Sequence, residues 1–299
     1  MRNALHPYVL TVLIAALIVL APHTAVAAVN LPWSTSYNCP DWKQSDGLPS
    51  CDGLLDYGSW TCDNGDGTRE EEQITAAANY PGGGGGKGQR SWDGDGTNNN
   101  SGATRLPLTN PQPELWIRFY MRYPLGFRWD PYPTYEKWLR VDTVNAIPIW
   151  YGPDKVAIGA YPAGQSYGSS DGTGWNTVMV AGATDPVTGL KTGDGLWHWY
   201  EVRIRINTPG NADGVGEIWI DGIQRLSRND IDYRAELGST FVPGGWTEVS
   251  WAHNQTTPGN GRCVPVDYDD VAIRAIGPIG PVGPADTLAP AAPSNLTVQ

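Results

Sequence analysis

Two short stretches place the same kinds of reactive side chain at the same spacing. In Glu114–Tyr123, ELWIRFYMRY, an extended backbone puts Trp116, Arg118, Tyr120 and Arg122 on one face and Leu115, Ile117, Phe119 and Met121 on the other. Trp197–Asn207 repeats the layout, with Trp199, Glu201, Arg203 and Arg205 opposite Tyr200, Val202, Ile204 and Ile206. Glu217 and Trp219 fall in the segment that follows. Guanidinium forks bind planar carboxylates bidentately, a phenol carries a proton, and an indole offers an apolar face with a polar edge. Arg118 and Tyr120, two residues apart on one strand, share a face, and Arg203 stands on the corresponding face of the other strand. Trp116, Arg122, Trp199, Glu201, Arg205, Glu217 and Trp219 would line the surface around them. Four arginines on one sheet repel unless an anion sits among them, or unless Glu201 and Glu217 close an internal network.

These rows must be held by strands. Apolar residues alternate with polar ones, and Thr208–Gly214 and Asp221-Gly222 are dense in turn formers, so Trp197–Gly222 reads as a hairpin. Further strands are expected over Tyr135–Asp142, Ala146–Tyr151, Lys155–Tyr161, Thr177–Ala181, Thr247–His253 and Val266–Ala275. A single helical turn is expected near Ile231–Leu237. Many short strands between Gly and Pro turns predict an all-β fold, a sandwich or jelly roll of two antiparallel sheets.

The N-terminus carries Arg2, an apolar run over Val9–Ala21 and the small-x-small sequence Ala25-Val26-Ala27, which predicts a cleaved secretory signal over residues 1–27. The run is short for a membrane span, and no other stretch is long and apolar enough, so no membrane contact is expected after signal removal. A secreted, extracellular or cell-surface location follows. The jelly roll is expected over 28–276. A Pro/Gly/Ala-rich linker follows over 277–292, and Pro293–Gln299 resembles the first strand of a fibronectin type III module. This layout predicts a monomeric domain within a longer modular chain.

The formal charge is −11, and loss of Arg2 with the signal makes it −12, a poor balance for binding nucleic acid. The cations are 15 Arg against 5 Lys, and 14 Trp stand against 3 Phe. Cys39, Cys51, Cys62 and Cys263 allow three disulfide pairings; Cys39–Cys51 with Cys62–Cys263 would tie the N-terminal segment to the end of the domain.

Other motifs carry less. Pro81–Gly88, PGGGGGKG, fails the phosphate-loop pattern, because Pro81 stands where glycine is needed and Gly88 where a hydroxyl is needed. It reads as a close-packed loop. Ser91–Gly102 has enough oxygen ligands for Ca²⁺ but lacks an EF-hand's glycine and distal glutamate, and a plain turn explains it as well; no cofactor is required. Gly164–Gly168 matches GxSxG without the strand-to-helix context of a nucleophile elbow. His198 falls on the apolar side of its strand, and His253 follows Trp251 where it could border a cleft.

The run Asn207-Thr208-Pro209-Gly210, then Ala212-Asp213-Gly214 and Trp219-x-Asp221-Gly222, resembles the jelly-roll polysaccharide lyases of the alginate- and glucuronan-cleaving kind, within the concanavalin A-like lectin/glucanase superfamily. Asp267–Ile273 resembles the closing strand of such domains. The resemblance implies a concave sheet that grips an acidic, uronate-bearing polysaccharide. It also implies β-elimination by a carboxylate neutraliser, a base and an acid, in which Arg118 would neutralise beside Tyr120 as proton carrier and Arg203 would complete the carboxylate clamp. A non-catalytic, lectin-like module is the alternative. The laminarinase-like glycoside hydrolases of this fold are a weaker fit, because Trp219 stands where their middle Asp would be and Asp221 reads as a turn residue.

Overall fold

The computed structural model describes residues 28–43, 51–56, 62–63, 69–70, 73–92, 103–128, 136–141, 147–151, 156–160, 165–168, 174–238, 241–254 and 264–282. Its strands are β1 (Trp33–Thr35), β2 (Trp42–Lys43), β3 (Leu55–Asp56), β4 (Cys62–Asp63), β5 (Arg69–Glu70), β6 (Gln73–Thr75), β7 (Gly88–Trp92), β8 (Ala103–Gln112) and β9 (Glu114–Arg122). They continue as β10 (Glu136–Val141), β11 (Ile147–Tyr151), β12 (Val156–Ala160), β13 (Gln165–Gly168), β14 (His198–Arg205), β15 (Gly214–Ile220), β16 (Ile223–Ile231), β17 (Trp246–Asn254) and β18 (Pro265–Arg274). Two one-turn helices, α1 (Trp175–Val178) and α2 (Tyr233–Leu237), complete the set.

Nine strands form the larger sheet, in the order β16-β15-β14-β9-β18-β7-β6-β2 with β1 against β18. Seven form the second, β13-β12-β11-β10-β17-β8-β3, and β4 pairs only with β5. Every strand pairing is antiparallel. The centre of the larger sheet brings together strands far apart in sequence, with β9 between β14 and β18. This is the jelly-roll sandwich that the strand pattern predicts.

The two sheets meet over the apolar stripes. Leu115, Ile117, Phe119 and Met121 of β9 and Tyr200, Val202 and Ile204 of β14 are fully or almost fully buried against Trp138, Val249 and Trp251 of the second sheet. The Phe119 ring stacks on Tyr200 at 5.3 Å and 9°, and Trp138 lies 4.8 Å from Tyr200. Burial at about 25 cal/mol per Å² makes this stripe the main source of the fold's stability. It also fixes the register: a slip of one residue would turn the arginine row inward.

The hairpin forms as its turn residues predict. Asp221 and Gly222 take φ values of 51° and 77°, two consecutive left-handed residues, and β15 turns into β16 there. β16 is an edge strand that is largely exposed, with Leu226 and Ile231 buried. The glycine-rich loop is tight, as expected: a Cβ on its last residue, Gly88, would lie 2.0 Å from the Ala78 carbonyl oxygen. The expected strand over Thr177–Ala181 is absent. Instead the Thr177 and Val178 amides both donate to the Gly174 carbonyl (3.0 and 3.3 Å), which closes a helical turn. The Asn176 side chain accepts from the Lys191 amide at 2.7 Å and fastens that turn to the following loop. The N-terminal part carries six short strands within what reads as irregular sequence.

Cys39 and Cys51 form a disulfide with a Cα–Cα distance of 5.7 Å. Cys263 lies outside the described residues, as do the oxygen-rich segment 93–102, residues 1–27 and residues 283–299. Among the described residues, no helix is long and apolar enough to cross a membrane.

Candidate functional site

The outward rows of β9 and β14 lie side by side. Arg203 is opposite Trp116, Glu201 opposite Arg118, and Trp199 opposite Tyr120. β15 extends two of these rows, placing Glu217 beside Arg203 and Trp219 beside Glu201. On the other flank, β18 sets Asp267 opposite Arg122 and Asp269 opposite Tyr120. All ten candidate residues therefore belong to the larger sheet, and this patch faces away from the second sheet.

The patch has two differently built halves. In the first, Trp116 and Trp219 stack at 5.6 Å and 19°, and the Arg203 guanidinium lies 5.1 Å from the Trp116 ring centre. Arg203 is also held between two carboxylates, Glu114 and Glu217, each at 2.9 Å. Glu114 in turn accepts the Trp116 indole N–H at 2.8 Å. Trp199 and Trp219 remain half-exposed. Arg205 donates to the Asp213 carbonyl at 3.2 Å, at the rim.

In the second half the reactive groups are covered. Arg118, Tyr120 and Glu201 are 3–4% exposed. The cover is the segment Gly277–Val282, the beginning of the expected linker. Glu201 accepts the amides of Ile279 (2.6 Å) and Gly280 (3.1 Å), one on each carboxylate oxygen. Arg118 donates to the Gly280 carbonyl at 3.3 Å and to the Asp270 carbonyl at 3.2–3.3 Å. The Tyr120 hydroxyl accepts the Val282 amide at 3.0 Å. Tyr80 stacks on the Tyr120 ring at 4.0 Å, and Trp197 meets Tyr80 edge-on. Burial pushes the Tyr120 phenol up to about 12, against the opposing pull of the Val282 amide. A phenol in this state keeps its proton at neutral pH.

Arg122 is paired rather than open. It reaches Asp267 at 2.5 Å, and Arg90 reaches the same carboxylate at 2.6 Å. The Arg122 guanidinium also lies 4.8 Å from the Trp197 ring centre.

Two titrating groups escape a reading of the sequence. Asp269 is fully buried and accepts the amides of Tyr80 (2.6 Å) and Asp270 (2.7 Å). Its burial pushes the carboxyl up to about 8. The signal was the acid-rich run Asp267–Asp270 within a strand that is otherwise apolar. His198 lies between two carboxylates: Nδ1 is 2.6 Å from Asp221 and Nε2 is 3.2 Å from Asp194. Burial works against its charge, but the hydrogen bonds and charges of Asp194 and Asp221 outweigh it and carry the imidazole up to about 9. Asp221 also accepts the Trp199 amide at 3.0 Å, so this histidine braces the hairpin turn. The side chain of His253 is outside the described part of the structure. Among the described residues, the His, Cys, Asp and Glu groups close enough together for a metal are Cys39, Cys51 and Asp52, and both cysteines are already used in the disulfide.

Strand topology and this outward face define an antiparallel jelly-roll sandwich with an aromatic and charged sheet surface. No family model and no curated protein matches the chain. Among solved structures it is similar to the cellulose-induced protein Cip1, at 10% identity and a TM-score of 0.45 over 74% of this chain and 94% of that one. It is also similar to an endo-β-1,4-glucuronan lyase from the fungus Trichoderma reesei (12%, 0.43, 71% and 89%) and to alginate lyase vAL-1 from Chlorella virus (11%, 0.44, 63% and 84%). The two lyases are of the kinds that the Asn207–Gly214 loop and its flanking strands resemble. At such identities and TM-scores these likenesses assign no activity, which has to be argued from the site.

Proposed function

We propose that the protein binds an acidic polysaccharide across the outer face of its larger sheet, as a carbohydrate-binding module of an exported protein. The observation that carries this reading is the Trp116–Trp219 stack with Arg203 against it, on a sheet face that the second sheet does not cover. Indole faces take the C–H faces of sugar rings, and a guanidinium against them adds polar edges for hydroxyls. Charge supports the same reading. The face carries Arg90, Arg118, Arg122, Arg203 and Arg205 against Glu114, Glu201, Glu217, Asp267 and Asp269, five against five, so it is close to balanced although the chain is at −11.

Binding without cleavage is preferred because the groups a lyase needs are engaged. Arg118 and Tyr120 hydrogen-bond to Gly280 and Val282, and Arg203 pairs with two glutamates. One observation favours β-elimination as a second reading. Arg118 and Tyr120 share a face, so a uronate carboxylate on Arg118 would bring its leaving oxygen towards a phenol that still holds its proton. Glycoside hydrolysis is not supported: Glu217 is tied to Arg203 and Asp221 to His198, leaving no free carboxylate pair among these.

The test is retention on immobilised alginate and glucuronan, with ultraviolet absorbance to detect the unsaturated uronate that a lyase releases. The binding reading expects retention, no absorbance rise, and a roughly tenfold weaker affinity in Trp219→Ala, since one stacking aromatic is worth about 0.5–1.5 kcal/mol beyond its buried area. Retention unchanged in Trp219→Ala would remove the platform from the reading, and absence of retention would remove the reading itself.

A further inference from the structure

The segment Gly277–Val282 deserves a physical account of its own, because its composition predicts a solvated tether and it lies on the sheet instead. Its grip is made by backbone. The amides of Ile279, Gly280 and Val282 and the carbonyl of Gly280 make hydrogen bonds to Glu201, Tyr120 and Arg118. Its side chains contribute less: Pro278 and Pro281 are exposed, Ile279 and Val282 are only partly buried, and Ile276 just before the segment is 85% exposed. It is therefore held mainly by polar contacts. A polar ligand can exchange such contacts one for one, whereas an apolar anchor would have to be pulled into water.

The contacts also have the chemistry of a sugar acid. Arg118 holds a carbonyl oxygen where it could hold a carboxylate. Glu201 receives two N–H donors, one on each oxygen, where it could receive two neighbouring hydroxyls. Tyr120 accepts one donor more. A uronate residue presents this set: a carboxylate and adjacent hydroxyls on one ring.

Resting on the polysaccharide-binding reading above, we infer that Gly277–Val282 is a built-in competitor for the binding face, occupying the uronate position over Arg118, Glu201 and Tyr120 until polysaccharide displaces it. With the strap in place, only Trp219, backed by the buried Trp116, and Trp199 are open to a sugar chain. With the strap lifted, the site extends to Arg118 and Tyr120. Apparent affinity is the intrinsic affinity multiplied by the fraction of molecules in which the strap is lifted.

Gly280→Pro tests this in the full chain. Gly280 has φ 75° and its amide bonds Glu201, whereas proline fixes φ near −65° and has no N–H, so the variant cannot hold the strap. Nothing lies within 4 Å of a Cβ at that position, so the substitution does not disturb the sheet. Alginate affinity is expected to rise about tenfold or more in Gly280→Pro. In the unmodified chain, saturating alginate oligosaccharide is expected to speed hydrogen exchange at the Ile279, Gly280 and Val282 amides. Alginate binding that leaves those amides as protected as before, together with unchanged or weaker affinity in Gly280→Pro, would overturn the competitor and leave the binding reading standing. No binding of alginate or glucuronan by either chain would overturn both. Binding by Gly280→Pro alone would support the competitor and overturn the reading that the tryptophan half binds polysaccharide with the strap in place.

Discussion

His198→Gln is the sharpest probe of how the hairpin is braced. The imidazole is 7% exposed and faces Asp194, whose side chain is fully buried, and Asp221, which also holds the Trp199 amide. Its pKa is raised from 6.5 to about 9 on folding. The sign follows from linkage. A group that binds its proton more tightly when folded stabilises fully below its unfolded pKa, and that stabilisation is lost as pH rises through the folded value. The brace should therefore be complete below pH 6.5 and gone above about 9. The gap between those values is worth about 3 kcal/mol at 1.36 kcal/mol per pH unit. The assay is urea unfolding of both chains across this range, read as the difference in unfolding free energy. Asp269, pushed up to about 8, has the same sign and also weakens the fold as pH rises, but it is present in both chains and cancels in the difference. The difference should be largest near pH 6 and shrink by about 3 kcal/mol towards pH 10. A difference that stays flat across that window would mean that folding leaves the proton affinity of His198 unchanged, and the reasoning is wrong.

Other substitutions report on the packing beneath the face. Asp267→Asn removes the carboxylate shared by Arg90 and Arg122 and leaves two partly buried guanidinium groups without it; a loss of about 3 kcal/mol in chemical unfolding is expected. Gly88→Ala drives a Cβ to 2.0 Å from a backbone oxygen, which cannot swing aside as a side chain could; thermal unfolding should show a cost of about 1–3 kcal/mol.

Much of this arrangement can be read from the residues themselves. The alternation in ELWIRFYMRY and in HWYEVRIR separates a core stripe from a polar row, and only one register keeps both stripes inside, so the two rows come to lie together. What escapes is what is made by backbone or by remote partners. A Pro/Gly linker has no side-chain pattern that would announce its amides as partners of Glu201 and Tyr120. Its presence, together with Tyr80 on Tyr120 and Trp219 on Trp116, is why β9 is buried on both faces although its sequence alternates. Nor does spacing predict that Asp194 and Asp221, on either side of His198 in sequence, close on it from opposite sides. The arginine row shows the same limit. Whether Arg203 waits for an external carboxylate or takes internal ones depends on Glu114 and Glu217 arriving from two neighbouring strands, and both do.

The edge strand β16 bears on how the protein behaves in concentrated solution. It ends the nine-stranded sheet, so its outer row of backbone groups is a template on which another sheet could grow. Its sequence is IQRLSRNDI, and Arg228 and Asp230 form a bidentate pair at 2.7 Å along it. A second copy approaching edge to edge would have to strip water from those charges and set like groups against each other. Strong pairing between copies is thereby discouraged along a border that would otherwise invite fibres, and a sheet of this width can stay dispersed at high concentration.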